Sequence, residues 1–197
     1  MKKLLIFGGT FNPVHNGHIY MCRTIADYIK ADEVHIVPTF SPVHKDVDNA
    51  LVNSEHRINM CRLAFDRNNE IVNSIEIDKG RPCYSYETLT WLSEEHPDAQ
   101  LYLACGSDMF LFLHTWRNPE VIFDKAIICA ISREENYQIL QDYAEKNKDN
   151  GLRSIIIDTQ PMIVSSTKIR SDIKTLGSYD DLPLAVAEYI RKNRLYL

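Results

Sequence analysis

Short apolar runs alternate with longer segments of helical periodicity along the chain. Residues 4–7 (LLIF) have the pattern of a buried strand and stop at a glycine pair, and residues 34–38 (VHIVP) form a second such run. Between them, the apolar residues of 18–29 recur at steps of three and four, which is the period of one helix face. The pattern predicts a strand, a helix and a second strand in direct succession.

The same alternation continues toward the C-terminus. The sequence predicts further strands over residues 71–77, 101–105, 126–131 and 154–157, and further helices over residues 54–66, 84–95, 167–176 and 184–191. Strands separated by helical segments are typical of βαβ units, in which helices cover both faces of a parallel sheet. The predicted fold class is therefore α/β, with a doubly wound parallel sheet.

Composition and charge are those of a soluble globular domain. The chain has 197 residues, of which 45% are hydrophobic and 25% charged, and no long linker or repeat divides it, so we expect one domain over residues 1–197. A formal net charge of −5 argues against a nucleic-acid-coating surface, so any phosphate must be held by a local cluster of donors. We interpret the polar segment 133–151 as a solvated helix and loop that decorate the domain.

The cysteines and the N-terminus bear on location. Five widely spaced cysteines without a C-x-x-C pair fit a reducing compartment and the role of small buried hydrophobes; they are Cys22, Cys61, Cys83, Cys105 and Cys129. The first apolar run is too short for a signal-peptide core, and no stretch approaches the length of a membrane span. We expect a cytoplasmic protein with no membrane partner, and we leave open whether it forms a homo-oligomer.

A glycine-containing turn joins the first predicted strand to the first helix. Gly8 and Gly9 allow the backbone to approach a ligand closely, and the N–H groups at a helix start attract anions. His15 and His18 bracket Gly17 at that start, so both imidazoles can donate hydrogen bonds to phosphate oxygens. Such glycines often only make a turn, such histidines often only cap a helix, and the further ligands of a zinc site do not accompany them. We therefore predict an anion site and no protein-bound metal.

The run G-G-T-F-N-P-V-H-N-G-H over residues 8–18 resembles the signature of the nucleotidylyltransferase superfamily with the H-x-G-H motif, in the form found in bacterial nicotinate-nucleotide adenylyltransferases. Asn12 stands where these enzymes commonly carry Asp. The resemblance implies a Rossmann-like nucleotidylyltransferase fold, in which His15 and His18 bind ATP phosphates and stabilise the charge that develops on the α-phosphate. The other loop residues implied to contact ATP are Gly8, Gly9, Thr10, Phe11 and Gly17.

A second motif, V-S-S-T-K-I-R, covers residues 164–170. Ser165 or Ser166 is a natural N-cap for the helix that follows. Lys168 and Arg170 bring positive charge to a first turn that favours acidic residues, which suggests an anion nearby. The segment resembles the family's I-S-S-T-x-I-R motif, which implies that Ser165, Ser166, Thr167 and Arg170 hold the β- and γ-phosphates.

Three further segments match the family. Residues 42–45 resemble its P-P-H-K loop, which implies that Lys45 reaches the triphosphate and that His44 assists. Gly106 and Asp108 follow the strand over 101–105, at the ligand edge of an open sheet, and match the family's G-x-D. Asp108 can equally be interpreted as a helix N-cap. Arg133 matches an arginine that the family places near the adenylate.

Specificity for the acceptor depends on a separate group of residues. The run P-C-Y-S-Y-E-T over residues 82–88 resembles the family's P-S-Y-T-x-x-T, which implies that Tyr84, Ser85 and Thr88 contact the acceptor. Trp116 matches a tryptophan that stacks on the pyridine ring. Ser85 replaces the usual threonine, and Arg117 stands where many members have tyrosine. A guanidinium at this position favours a carboxylate over a neutral amide, unless Arg117 simply faces solvent. The resemblance implies nicotinate mononucleotide as the acceptor.

The implied reaction joins ATP and nicotinate mononucleotide into deamido-NAD and pyrophosphate by direct in-line attack, with Mg²⁺ carried by ATP. Alternatives are the acceptors nicotinamide mononucleotide and phosphopantetheine, or a nucleotide-sensing module that has lost turnover. A redox Rossmann enzyme is excluded because the first strand is not followed by G-x-G-x-x-G.

Overall fold

A computed structural model describes residues 1–41, 51–132, 136–160 and 162–197. In this part of the chain, six parallel strands form one sheet. The strands are β1 (Lys2–Gly9), β2 (Glu33–Pro38), β3 (Glu70–Val72), β4 (Ala99–Gly106), β5 (Ala126–Ser132) and β6 (Ser154–Asp158). The α-helices are α1 (Asn16–Ile29), α2 (Ser54–Ala64), α3 (Ile75–Asp78), α4 (Ser85–Glu95), α5 (Ser107–Phe110), α6 (Pro119–Lys125), α7 (Tyr137–Lys146), α8 (Ser166–Leu176) and α9 (Leu184–Lys192). Among the described residues, Leu113–Thr115 and Lys148–Asn150 form 3₁₀ turns.

Two separate cores cover the two faces of the sheet. Along β1, Leu5 and Phe7 face one core while Leu4 and Ile6 face the other, as the alternation of side chains in a strand requires. The first core takes buried residues from α1, α2, α8 and α9, and the second from α4, α5, α6 and α7. A strand buried on both faces must be apolar throughout, which explains the unbroken run at residues 4–7. The predicted doubly wound α/β fold is confirmed.

The strand order β3-β2-β1-β4-β5-β6 reverses direction between β1 and β4. The β1–β4 ladder ends at Ile6 and Leu103, whereas the β1–β2 ladder continues to Gly9 and the β4–β5 ladder to Gly106. Ligands of open α/β sheets bind at such a switch point, outside the carboxyl ends of the strands. The glycines of the first motif and Gly106 thus lie at the expected crevice.

The strand predicted over residues 71–77 is wrong beyond Val72, because residues 75–78 form α3. Asn73 diverts the chain: its Oδ1 accepts the N–H of Ile75 at 2.9 Å, and its Nδ2 lies 3.1 Å from Nδ1 of His35. The Ser74 carbonyl then accepts the N–H of Asp78 at 2.9 Å, which closes the helical turn. A side chain that bonds to the backbone two residues further on competes with the strand ladder.

The connections that cover the second core contain more helical structure than the sequence pattern predicts. The β4–β5 connection contains α5, a 3₁₀ turn and α6, and the β5–β6 connection contains α7. The helix predicted within residues 133–151 is confirmed as α7, but its interpretation as decoration is wrong, because Leu140 of α7 is fully buried in the second core. The amphipathic α7 therefore covers the sheet as a crossover helix.

The cysteine prediction is confirmed in its structural part. All five cysteines are free and buried. Burial raises the pKa of the Cys105 and Cys129 thiols to about 12, so they are inert as thiolates at neutral pH. Over the described ranges, every helix is too short or too polar to cross a membrane.

Candidate active site

The loop after β1 is shaped around a buried aromatic ring. Phe11 is 1% exposed and has a φ of 49°, in the left-handed region. A Cβ on Gly9 would lie 2.8 Å from Cζ of Phe11, so glycine is required for this close approach. The Phe11 ring packs edge-on against the rings of Phe7 and His18, with centroids 5.5 and 5.1 Å away. Because the Phe11 side chain lies in the core, its backbone is the part available to a ligand.

His15 and His18 form a closely coupled pair at the start of α1. Their rings stack with centroids 3.6 Å apart and planes 22° apart. Nδ1 of His15 accepts the backbone N–H of His18 at 3.3 Å, and Nδ1 of His18 accepts the backbone N–H of His15 at 3.3 Å. A neutral imidazole that accepts at Nδ1 carries its proton at Nε2. The helix cap therefore gives each ring an Nε2–H donor, the group that a phosphate oxygen needs.

Burial keeps this pair from acting as two cations. His15 is 5% exposed, and desolvation lowers its pKa to about 4, so the ring is neutral at pH 7. A neutral donor can hold a phosphate oxygen without a change of protonation state.

Gly17 allows the two motifs to meet. A Cβ at this position would lie 3.2 Å from Nδ1 of His15 and 3.2 Å from Cβ of Val164. The glycine is thus in contact with the ring of the first motif and with the residue at which the second motif begins.

The start of α8 lies against the loop of the first motif. Ser165 is the N-cap of α8, as predicted, and its Oγ accepts the N–H of Lys168 at 3.4 Å. Oγ of Ser166 donates to the carbonyl of Pro13 at 3.0 Å, and Nη1 of Arg170 donates to the carbonyl of Asn12 at 3.0 Å. The two motifs, some 150 residues apart in sequence, therefore form one site with two adjacent helix N-termini.

Lys168 has a partner within its own helix. Its exposed Nζ forms an ion pair with Asp172 at the i,i+4 position. This ion pair explains the presence of Lys168 in the first turn of α8 without a bound ligand. Of the two positive charges, only that of Arg170 therefore still supports an anion site at the start of α8.

Arg57 is a functional candidate that the sequence analysis missed. It is 1% exposed, and in the described chain its guanidinium donates to the carbonyls of Thr10 at 2.9 Å, Thr39 at 2.7 Å, Phe40 at 3.0 Å and Val52 at 3.3 Å. Burial lowers its pKa. Arg57 therefore joins the loop after β1 to the segments after β2 and before α2. Its position on the buried face of α2, in register with Met60, Cys61 and Ala64, was the available signal.

Tyr84 and Arg117 meet at the start of α4. The Arg117 guanidinium lies over the Tyr84 ring, with Cζ 5.1 Å from the ring centroid. Tyr84 is the N-cap of α4, and Arg117 follows the half-buried Trp116, which packs against the second core. Ser85 begins α4 itself. The structure thus brings together predicted acceptor residues from two connections.

Thr88 lies one helical turn beyond Tyr84 in α4 and contacts Glu76 of α3. Both are buried, and Oγ1 of Thr88 donates to Oε1 of Glu76 at 2.7 Å. Oε2 of Glu76 has no hydrogen-bond partner among the described residues, and burial raises the pKa of the carboxyl to about 7. The contact between Thr88 and the acceptor stays a prediction, whereas its contact with Glu76 is a second feature that the sequence analysis missed.

The remaining predicted residues have mixed outcomes. Gly106 precedes α5, and a Cβ there would meet no described atom within 4 Å, so this position faces open space. Asp108 is exposed within α5, and its interpretation as N-cap is wrong because Gly106 occupies the N-cap position. His44, Lys45 and Arg133 lie outside the described residues.

Known proteins show similarity over the whole chain. Residues 6–172 match the family model described as cytidylyltransferase-like. A probable nicotinate-nucleotide adenylyltransferase of Neisseria gonorrhoeae (strain ATCC 700825 / FA 1090) is 36% identical, with 100% of this chain and 99% of that protein covered. One of Borrelia turicatae is 32% identical, with 99% and 98% covered.

A solved structure shares the fold. Plasmodium falciparum nicotinic acid mononucleotide adenylyltransferase, in complex with NaAD, matches with a TM-score of 0.79 at 19% identity, over 100% of this chain and 98% of that one. Family membership itself rests on the sequence matches. The chain belongs to the cytidylyltransferase-like family and, within it, to the nicotinate-nucleotide adenylyltransferases.

Proposed function

We propose that this protein transfers AMP from ATP to nicotinate mononucleotide, giving deamido-NAD and pyrophosphate in NAD biosynthesis. The observation that carries the proposal is the His15–His18 pair, whose Nε2–H donors lie at one helix start while α8 begins against the same loop. The names of the relatives in Neisseria and Borrelia support the same activity.

The reaction needs positioning and charge stabilisation more than acid–base chemistry. An oxygen of the acceptor phosphate attacks the α-phosphorus of ATP, and the bond from that phosphorus to the oxygen bridging to the β-phosphate breaks. The attacking phosphate is already anionic at neutral pH, so no general base is required. His15 and His18 donate to the α-phosphate as its charge develops. In this proposal the backbone of Gly8, Gly9, Thr10 and Phe11 contacts the phosphates of ATP.

The leaving pyrophosphate requires a second set of donors. In this proposal Arg170 and the hydroxyls of Ser165, Ser166 and Thr167 hold the β- and γ-phosphates at the start of α8. Lys45 supplies a further positive charge, and Gly106, Asp108 and Arg133 contact the nucleotide.

Mg²⁺ enters this proposal as part of the substrate. In the described parts of the chain, no group of three His, Cys, Asp or Glu side chains could hold a metal ion. A magnesium ion held by phosphate oxygens and water suits such a site, because Mg²⁺ retains its waters readily. We also propose a cytoplasmic location, with which the five free cysteines agree.

The acceptor is assigned on charge. Nicotinate mononucleotide carries a carboxylate where its amide analogue is neutral, and Arg117 over the Tyr84 ring offers a cation at the expected pyridine subsite. In this proposal Trp116 stacks on the pyridine ring, while Ser85 and Thr88 complete the subsite.

Pyrophosphate release tests the proposal. Purified protein is assayed with ATP and, separately, nicotinate mononucleotide, nicotinamide mononucleotide and phosphopantetheine. We expect the highest kcat/KM with the nicotinate compound. Equal turnover of the amide would overturn the acceptor assignment, and an absence of turnover with all three would overturn the activity.

A further inference from the structure

The last residues of the chain return to the loop of the first motif. The hydroxyl of Tyr196 donates to Oδ1 of Asn12 at 2.8 Å, across 184 positions of sequence. The same oxygen accepts the backbone N–H of Val52 at 3.3 Å, and the Asn12 carbonyl accepts from Arg170. Asn12 is 5% exposed. It is thus a buried junction between the C-terminus, the segment before α2 and the cation of the second motif.

Tyr196 is held in place by its surroundings. The preceding Leu195 is buried in the first core, and its N–H donates to the carbonyl of Ile190 at 3.1 Å. Tyr196 itself has a φ of 65°, a left-handed conformation that is unfavourable for a non-glycine residue. Such a conformation persists only where contacts on several sides fix it, and here the ring packs against the first core while the hydroxyl bonds to Asn12.

The hydroxyl lies near two cations, the buried Arg57 and the half-buried Arg170. Burial raises the pKa of Tyr196, and the positive charges of Arg170 and Arg57 lower it. The hydroxyl therefore stays protonated and donates at neutral pH. Val52 connects Asn12 to Arg57: its N–H donates to Oδ1 of Asn12, and its carbonyl accepts from the Arg57 guanidinium.

We propose that Tyr196 is a positioning residue for nucleotidylyl transfer. Its hydroxyl fixes the side chain of Asn12, and the backbone carbonyl of Asn12 in turn fixes the guanidinium of Arg170. Without the hydroxyl, Oδ1 of Asn12 loses the shorter of its two described hydrogen bonds, and the carbonyl that holds Arg170 is less constrained. The inference rests on the proposed function, because Arg170 is there assigned to the triphosphate.

The test compares Tyr196→Phe with Tyr189→Phe in the full-length chain. Tyr189 is a matched control: its hydroxyl contacts Nδ1 of His56 at 2.9 Å and Nδ2 of Asn59 at 3.2 Å, between α9 and α2. Each variant removes one partly buried hydroxyl from the C-terminal region. We expect Tyr196→Phe to lower kcat/KM for ATP about tenfold, because the guanidinium of Arg170 is then less well positioned for the triphosphate. Tyr189→Phe should stay within about twofold of the wild type.

Binding of a non-hydrolysable ATP analogue provides a second readout that needs no acceptor. Calorimetric titration should show about tenfold weaker binding for Tyr196→Phe and unchanged binding for Tyr189→Phe. If the wild type binds the analogue but turns over none of the acceptors, the proposed function fails while this comparison still decides the role of Tyr196. Equal affinities in the two variants would overturn the inference.

A double-mutant cycle tests the route through Arg170. If Tyr196 acts by fixing that guanidinium, Tyr196→Phe should weaken analogue binding much less in an Arg170→Lys background than in the wild type. Independent, multiplying losses would show that Tyr196 does not act through Arg170 and would overturn the proposal in this form.

Discussion

The rings of His15 and His18 stack 3.6 Å apart, and the Nδ1 of each accepts the backbone N–H of the other. This reciprocal cap satisfies two N–H groups at the start of α1 and at the same time fixes which nitrogen of each ring carries the proton. One local structure thus stabilises the helix and prepares two donors for a phosphate.

Replacing His18 with alanine should remove one of these donors. We expect kcat to fall by at least about a hundredfold, the usual effect of losing a donor to a developing charge. Steady-state kinetics of pyrophosphate release measures this, with His96→Ala as control, because His96 lies at the far end of α4. Near-normal turnover of His18→Ala would remove the histidine pair from the mechanism.

Adding a methyl group at Gly17 should disturb the stacked His15 and His18 rings through a contact with His15. The new Cβ would lie 3.2 Å from Nδ1 of His15 and from Cβ of Val164, so the ring or the second motif must shift. We expect Gly17→Ala to lower kcat about tenfold while Tm changes by only a few degrees, since alanine also favours the helix by up to about 1 kcal/mol. An equally active variant would show that the contact is not needed for catalysis.

Replacing Arg57 with lysine should destabilise the fold. Lysine keeps the charge but cannot reach the carbonyls of Thr10, Thr39 and Phe40 together. Because buried carbonyls would be left unpaired, we expect the free energy of unfolding to drop by about 2–4 kcal/mol. Urea denaturation measures it against Arg62→Lys, an exposed substitution on the same helix that should be neutral. Equal midpoints in the two variants would contradict this role.

Strands and motifs were predictable from the sequence because their signals are local. Residues 101–105 are apolar and buried on both faces, so the strand pattern is unambiguous. The N-cap at Ser165 and the capping pair at His15 and His18 follow from contacts within three residues. The alternation of apolar runs with helical periodicity, which predicts the doubly wound fold, is likewise a local signal.

The missed features depend on distant backbone groups. Arg57 bonds to carbonyls 18 and 47 positions away, and Tyr196 bonds to a side chain 184 positions away. Carbonyls exist at every residue, so nothing in the sequence marks those that an arginine will meet. The failed strand over 71–77 has the opposite cause, since the Asn73 side chain overrode an apolar pattern locally.

Substitution of Arg117 should change the choice of acceptor more than catalysis. With Arg117→Gln, the cation over Tyr84 is lost while a shorter, neutral polar side chain remains. We expect the ratio of kcat/KM for nicotinate over nicotinamide mononucleotide to fall about tenfold, equivalent to about 1.4 kcal/mol. KM for ATP is the internal control and should not change. If this ratio did not change, residues other than Arg117 would recognise the nicotinate carboxylate.

The buried carboxyl of Glu76 should make stability depend on pH. Its pKa is about 7 in the folded protein against 4.5 for the free side chain. Because the folded state holds the proton more tightly, the stabilising contribution is complete below pH 4.5 and is lost as pH rises through 7. Between pH 5 and pH 8 the wild type should lose about 2 kcal/mol through this group.

Glu76→Gln isolates this effect, because the amide matches the carboxyl in shape and does not titrate. Urea unfolding at pH 5 and pH 8 should therefore show a smaller loss of stability for Glu76→Gln than for the wild type. Glu94→Gln, which removes an exposed carboxyl from α4, should follow the wild type. If Glu76→Gln and the wild type lost stability in parallel, Glu76 would be ionised in the folded protein at both pH values. The Thr88 hydroxyl at 2.7 Å would then be donating to a carboxylate.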